Sequence, residues 1–223
     1  MAKHLYLMRH ALTVFNERKK IQGWCDSPLS PYGEAQAKRV ADMLDERGIS
    51  FDHAYCSTSG RTAQTLMLVT RNKMPFERLD DLREFGFGLL EGESVALAPP
   101  TPFGAALVQY GGESAYQVTR RMVRALTQIM DKPDHQNVLA VSHGSSSLAF
   151  FDAYRDTSKI TLEMPSISGN KSVAVPGNAS IIHYSYEKGQ FSAQELMVPD
   201  FSDLDTLRLN EKTIHPSWLY EHI

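Results

Sequence analysis

Asn137-Val138-Leu139-Ala140-Val141-Ser142-His143-Gly144 is the stretch whose reading decides the fold. Its apolar residues run on without alternation, as in a strand covered on both faces, and parallel sheets wrapped by helices need such strands. The run breaks at His143-Gly144, and small residues (Ser145, Ser146, Ser147) then open a helix. They lack the Gly-x-Ser-x-Gly elbow of a serine nucleophile, so a helix-capping role is expected for them.

Working outward, the same grammar recurs. Upstream, residues 113–130 carry Val118, Met122, Ala125 and Ile129 at helical spacing. Residues 4–8 read as a short apolar strand that stops at Arg9-His10, and a polar loop follows. Ser30-Pro31 then opens a helix, with Ser as the cap and Pro in the first turn, and Gly48 marks its end. Residues 51–56 form a second strand, closed by Ser57-Thr58-Ser59-Gly60 and followed by a helix from Arg61 to about Thr70. A short strand is expected at 76–79. Downstream, 172–175, 180–186 and 191–196 read as strands, the last two joined by a hairpin around Gly189.

Strands alternating with helices imply an α/β domain with a mainly parallel sheet. In such sheets ligands bind beyond the carboxyl ends of the strands. His10, Arg61, Glu84 and His143 each follow a predicted strand, so folding should gather them on one rim.

Composition narrows the class. The chain has 223 residues, a net charge of -3 and no basic block, which argues against a general nucleic-acid binder. No long apolar run or signal-peptide pattern is seen, so a cytoplasmic, membrane-free protein is expected. Cys25 and Cys56 are far apart and in no metal-type spacing; two reduced thiols are expected.

Arg9-His10-Ala11-Leu12-Thr13-Val14-Phe15-Asn16 carries the chemistry. A neutral imidazole can attack phosphorus, and its ordinary pKa of about 6.5 leaves much of it neutral near pH 7. A guanidinium offers a planar fork for phosphate oxygens. The stretch resembles the Arg-His-Gly-x-Thr-x-x-Asn signature of the histidine phosphatase (phosphoglycerate mutase-like) superfamily. Gln22-Gly23-Trp24, Asp26-Ser27-Pro28-Leu29-Ser30, Ser57-Thr58-Ser59-Gly60-Arg61, Leu82-Arg83-Glu84, Gly111-Gly112-Glu113-Ser114 and Val141-Ser142-His143-Gly144 resemble its later blocks, in the same order. Ala11 departs from the family glycine, and alanine disfavours positive φ.

The resemblance implies a three-layer α-β-α sandwich around a mainly parallel sheet. We expect one domain over 1–223, with 93–112 as a mobile or irregular insertion and 199–223 as a C-terminal extension. It implies His10 as the nucleophile, Arg9, Arg61 and His143 around the transferring phosphoryl group, and Glu84 as the proton donor, with Glu113 ranked second. Thr13, Asn16, Gln22, Gly23 and Gly144 are the expected phosphate-binding residues. The other histidines are expected to be structural or at the surface. No cofactor and no metal are expected, because the arginines and His143 supply the positive charge that a metal would otherwise bring.

Mutases of the family resemble one another in a long basic insertion between the acid and the second histidine. Residues 93–110 hold no Lys or Arg. A phosphatase acting on a small phosphorylated metabolite is therefore expected. A 2,3-bisphosphoglycerate-dependent phosphoglycerate mutase is the alternative, and a non-catalytic phosphate-ligand-binding protein is the alternative from another class. The oligomeric state is left open, a homodimer included.

Overall fold

The computed structural model describes residues 2–99, 105–162 and 176–209. Six strands form one sheet: β1 (Lys3–Arg9), β2 (His53–Ser57), β3 (Glu77–Leu79), β4 (Asn137–Ser142), β5 (Ile181–Glu187) and β6 (Gln190–Met197). Their spatial order is β3-β2-β4-β1-β5-β6. The first four are mutually parallel, and β5 and β6 add an antiparallel edge. The β5–β6 turn holds Lys188 at φ 50° and Gly189 at φ 80°, as a twist-matched two-residue hairpin requires. The strand expected at 172–175 lies outside the described residues.

Five α-helices complete the described fold: α1 (Val14–Glu17), α2 (Pro31–Glu46), α3 (Gly60–Val69), α4 (Ala115–Asp131) and α5 (Gly144–Ala153). Period-two alternation along β1 divides the core. Tyr6 and Met8 pack with Val40, Leu44 and Leu66 of α2 and α3, whereas Leu5 and Leu7 pack with Met122, Leu126 and Phe150 of α4 and α5. Helices on both faces of a mostly parallel sheet make the expected sandwich, and explain why β4 reads as continuously apolar.

The layering positions the site. β1 and β4 are neighbours, yet the chain leaves β1 toward the α2 face and β4 toward the α5 face. A crevice opens where adjacent parallel strands send their connections to opposite sides. Arg9 pairs with Ser142 in the register, so the next residues, His10 and His143, emerge side by side.

Local expectations fared unevenly. Ser30 caps α2, its side chain accepting from the Gly33 N–H, with Pro31 at the start. α1 was not foreseen in the polar loop; Thr13 and Asn16 build a reciprocal capping box for it. The described parts of the 93–112 segment, 93–99 and 105–112, are irregular but anchored. Ile21 N–H donates to Glu93 O, Val95 N–H to Lys19 O, and Glu113 N–H to Gly86 O. The 199–223 extension begins with a 3-10 turn at Ser202–Leu207, tied down by an Arg39–Asp203 ion pair. Among the described residues no helix is long and apolar enough to cross a membrane. Both cysteines are free thiols, and burial is the leading cause that pushes each up to about 11.

Candidate active site

His10 follows β1 and His143 caps α5. Their rings lie edge to face with centroids 5.2 Å apart, and both are buried. Backbone carbonyl and guanidinium partners fix their tautomers. His10 Nδ1 sits 2.8 Å from the Ala11 carbonyl, which can only accept, so Nδ1 carries the proton and Nε2 keeps its lone pair. His143 Nδ1 accepts from Arg61 Nη2 at 2.9 Å; its Nε2–H therefore donates to Ser57 Oγ at 2.8 Å. Burial, then the Arg61 charge, holds both imidazoles well below the ordinary value; Arg9 adds to this in each case. Both are neutral near pH 7, which corrects the expectation that His143 supplies positive charge: burial and the Arg61 charge disfavour its charged form.

Arg61 lies in the first turn of α3 with essentially no exposure. Besides His143, its guanidinium donates to Gly23 O at 2.7 Å, and to Cys25 O and Asp26 Oδ1, both at 2.9 Å. Arg9 Nη1 donates to Pro176 O at 2.7 Å. Burial pulls Arg9 down to about 10, which leaves it charged at neutral pH, and the Glu84 carboxylate acts in the opposite direction. Among the described residues, five buried side-chain N or O atoms have no partner, and three of them are N–H donors: Arg9 Nε, Arg61 Nε and Gln22 Nε2. An orphaned buried donor is costly, and native proteins keep few of them. Here all three belong to residues already singled out from the sequence.

The supporting residues fall into place around these groups. Thr13 Oγ1 accepts from Asn16 N–H and donates to Gln22 Oε1, turning the Gln22 amide nitrogen away from itself. Asn16 Oδ1 accepts from Thr13 N–H and from Asn178 Nδ2, so its oxygen end is committed within the loop. Gly23 gives its carbonyl to Arg61 and its N–H to Glu91. A Cβ at Gly23 would stand 2.2 Å from the Phe85 carbonyl oxygen, so only glycine permits this approach. Gly144 is the buried first residue of α5.

Glu84 is buried and reaches the α5 N-terminus. Its carboxylate accepts from Ser145 N–H at 2.9 Å, Ser146 N–H at 2.8 Å and Phe85 N–H at 3.0 Å. This corrects the expected serine capping: α5 has no side-chain cap of its own, and a carboxylate from another segment takes the free N–H groups. The rival acids are engaged elsewhere. Glu113 pairs with Arg121 at 2.8 Å, and Asp81 pairs with Arg124. Glu91 gathers the N–H groups of Gly23, Trp24, Cys25 and Phe87. Burial raises the Glu91 carboxyl, but the Cys25 thiol and those backbone donors outweigh it and hold it below the usual carboxylate value.

Several residues in this region went unassigned in the sequence. Ser57 orients His143, and Asp26 orients Arg61. Asn178 donates to the His10 carbonyl at 3.1 Å. Arg121 holds the acid loop, donating to the carbonyls of Asp81, Arg83 and Glu84. Ser57 and Asp26 stand inside quoted motif blocks, which was a usable signal. Asn178 and Arg121 gave none. Ala11 is buried, donates its N–H to Thr65 Oγ1, and is absent from the residues at positive φ, so the methyl imposes no backbone strain.

Comparison with known proteins bears on the family and the fold. The chain is 35% identical over 153 residues to "Probable phosphoglycerate mutase GpmB" of Proteus mirabilis (strain HI4320), covering 63% of this chain and 69% of that protein. The protein of the same name from Cronobacter sakazakii (strain ATCC BAA-894) is 37% identical at the same coverage. The crystal structure of phosphoglycerate mutase from Bacillus anthracis superposes with a TM-score of 0.71 at 25% identity, over 91% of this chain and 95% of that one. The histidine phosphatase superfamily (branch 1) profile matches residues 5–198, and the chain belongs to that superfamily.

Proposed function

We propose that this protein is a phosphomonoesterase that hydrolyses a small phosphate ester through a phosphohistidine on His10. One observation carries the reading: the buried neutral imidazole of His10 keeps its Nε2 lone pair beside the charges of Arg61 and Arg9, both of which have a buried Nε–H with no partner. In the first step Nε2 attacks phosphorus, the P–O ester bond breaks, and Glu84 serves as the general acid that gives a proton to the leaving oxygen. In the second, water attacks the phosphohistidine, its proton passes to Glu84, and the P–N bond breaks to release inorganic phosphate and restore His10. The guanidiniums stabilise charge on the phosphoryl oxygens, the main demand of phosphoryl transfer, and the neutral His143 holds Arg61 in place. The chemistry so written uses no metal.

Hydrolysis is preferred to mutase action because 93–110 has no Lys or Arg to clamp a second acidic substrate. The mutase reading stands second, favoured by the names of the relatives at 35% and 37% identity. The non-catalytic reading loses its support, because Ala11 is unstrained. We place the enzyme in the cytoplasm, in keeping with its two free thiols, and treat 1–223 as one domain, since the sheet draws β1 against β5 from the far end of the chain.

The test is a screen of phosphorylated metabolites for phosphate release, with a parallel assay of 2,3-bisphosphoglycerate-dependent mutase activity and His10→Ala as the blank. Phosphate release that requires His10 is expected. Strong mutase turnover with little phosphate release would transfer the assignment to the second reading. Failure to trap any phosphohistidine on His10 would end both.

A further inference from the structure

A second histidine pair lies at the amino end of the same sheet, remote from the first. His53 opens β2, and Asp134 and His135 precede β4. The two rings stack with centroids 3.6 Å apart and planes 11° apart. Asp134 bridges them: Oδ1 is 2.9 Å from His135 Nδ1 and Oδ2 is 3.4 Å from His53 Nε2. One ligand atom from each of the three residues falls within 4.8 Å of the others. We propose that His53, Asp134 and His135 form a binding site for a borderline transition-metal cation such as Zn²⁺, with water completing the coordination.

Three features carry this. The donor set, two imidazole nitrogens and a carboxylate oxygen, suits Zn²⁺, Ni²⁺ or Cu²⁺. The spacing fits: bonds of roughly 2.0–2.2 Å to a tetrahedral ion put neighbouring ligand atoms about 3.3 Å apart. The backing residues fit as well. A ligating histidine characteristically gives its other ring N–H to a carboxylate or another oxygen. His53 Nδ1 is 2.9 Å from Asp52 Oδ1, which leaves Nε2 as the lone-pair nitrogen facing Asp134. His135 Nε2 is 2.7 Å from the Tyr55 hydroxyl oxygen, which can accept its N–H and free Nδ1 for the ion. Asp52 is itself fixed by the N–H groups of Gln136 and Asn137. Lys132 is the opposing charge, donating to the same Tyr55 oxygen. One movement is required. A metal lies in the plane of its imidazole, so the half-exposed His53 must tilt out of the stack while the buried His135 stays in place. The site is well away from the phosphate-binding rim and is independent of the proposed reaction.

Equilibrium dialysis of the full chain against Zn²⁺ tests this, with Co²⁺ absorption as a report on coordination geometry. One ion per chain is expected, with a dissociation constant in the micromolar range or below. His53→Ala and the isosteric Asp134→Asn should each weaken binding by at least tenfold and remove the Co²⁺ bands, while His10→Ala leaves both unchanged. Asp134 is exposed and His53 partly so, and the apo melting curves of both variants check the fold. No stoichiometric ion in the wild type, or an affinity that survives both substitutions, overturns the proposal.

Discussion

Two pairs of histidines stand at opposite ends of one sheet, and their surroundings give them opposite characters. At the carboxyl end His10 and His143 meet edge to face, fully enclosed, with Arg9 and Arg61 as the charged neighbours. At the amino end His53 and His135 stack flat beside Asp52 and Asp134. The first environment concentrates N–H donors and positive charge and suits an anion. The second concentrates lone pairs and negative charge and suits a cation. The side chain is the same in all four cases. Its partners decide which nitrogen keeps the proton and which ligand the pair can take.

The sharpest way to break this contrast is Arg61→Ala. It removes charge from the anion end and orphans His143 Nδ1 and the Gly23 carbonyl. A loss of about 10²-fold or more in kcat/KM is expected. Urea unfolding should show a stability loss of about 3 kcal/mol, as when one partner of a buried network is deleted. A variant of near-native activity would remove Arg61 from the site.

Acidification gives the next effect. The folded-state pKa values of His10 and His143 lie well below 6.5, while the unfolded values lie near it. The unfolded chain therefore binds more protons in this window. Stability contributed by each imidazole is present above about pH 6.5 and falls as pH drops below it, by up to ~1.4 kcal/mol per pH unit for each. Denaturant midpoints measured at pH 7 and pH 5 should diverge less in His143→Ala than in the wild type. An equal divergence would mean that the buried pair is not the source.

Ser57→Ala is expected to do less. His143 keeps its tautomer through Arg61 but loses the acceptor that orients its Nε2–H, so kcat should fall by roughly tenfold, with about 1 kcal/mol lost in stability. The smallest effect belongs to Ala11→Gly. At a buried position without positive φ the glycine loosens the unfolded chain and removes one packed methyl, so activity should stay within about twofold and stability should drop by ~1 kcal/mol. A large gain in activity there would show that the methyl does shape the pocket.

Legibility in the sequence followed locality. β4 was read at its observed bounds, Asn137–Ser142, because a doubly covered strand announces itself by composition. Ser30 was read as a cap because capping is a contact over three residues. The short α1 was missed because four residues carry no periodicity to detect. At the site, His10, Arg61, Glu84 and His143 were identifiable from strand-end positions and motif blocks. Their partners were harder. Glu84 takes the place of an α5 cap across a long stretch of chain, and Arg121 secures the acid loop from the middle of α4, where an arginine looks like any surface charge.

The sequence by itself determined the alternating strands and helices, the apolar faces that stack them, and the residue types able to meet at a carboxyl-end rim. Those properties depend on periodicity and local backbone preference, which are written in neighbouring residues. Tertiary structure alone decided that β1 lies beside β4, that His10 and His143 are neutral with opposite ring nitrogens protonated, and that Asp134 falls between two imidazoles at the other end. Proton placement depends on burial and on partners brought from distant segments, so it exists only once the chain has folded.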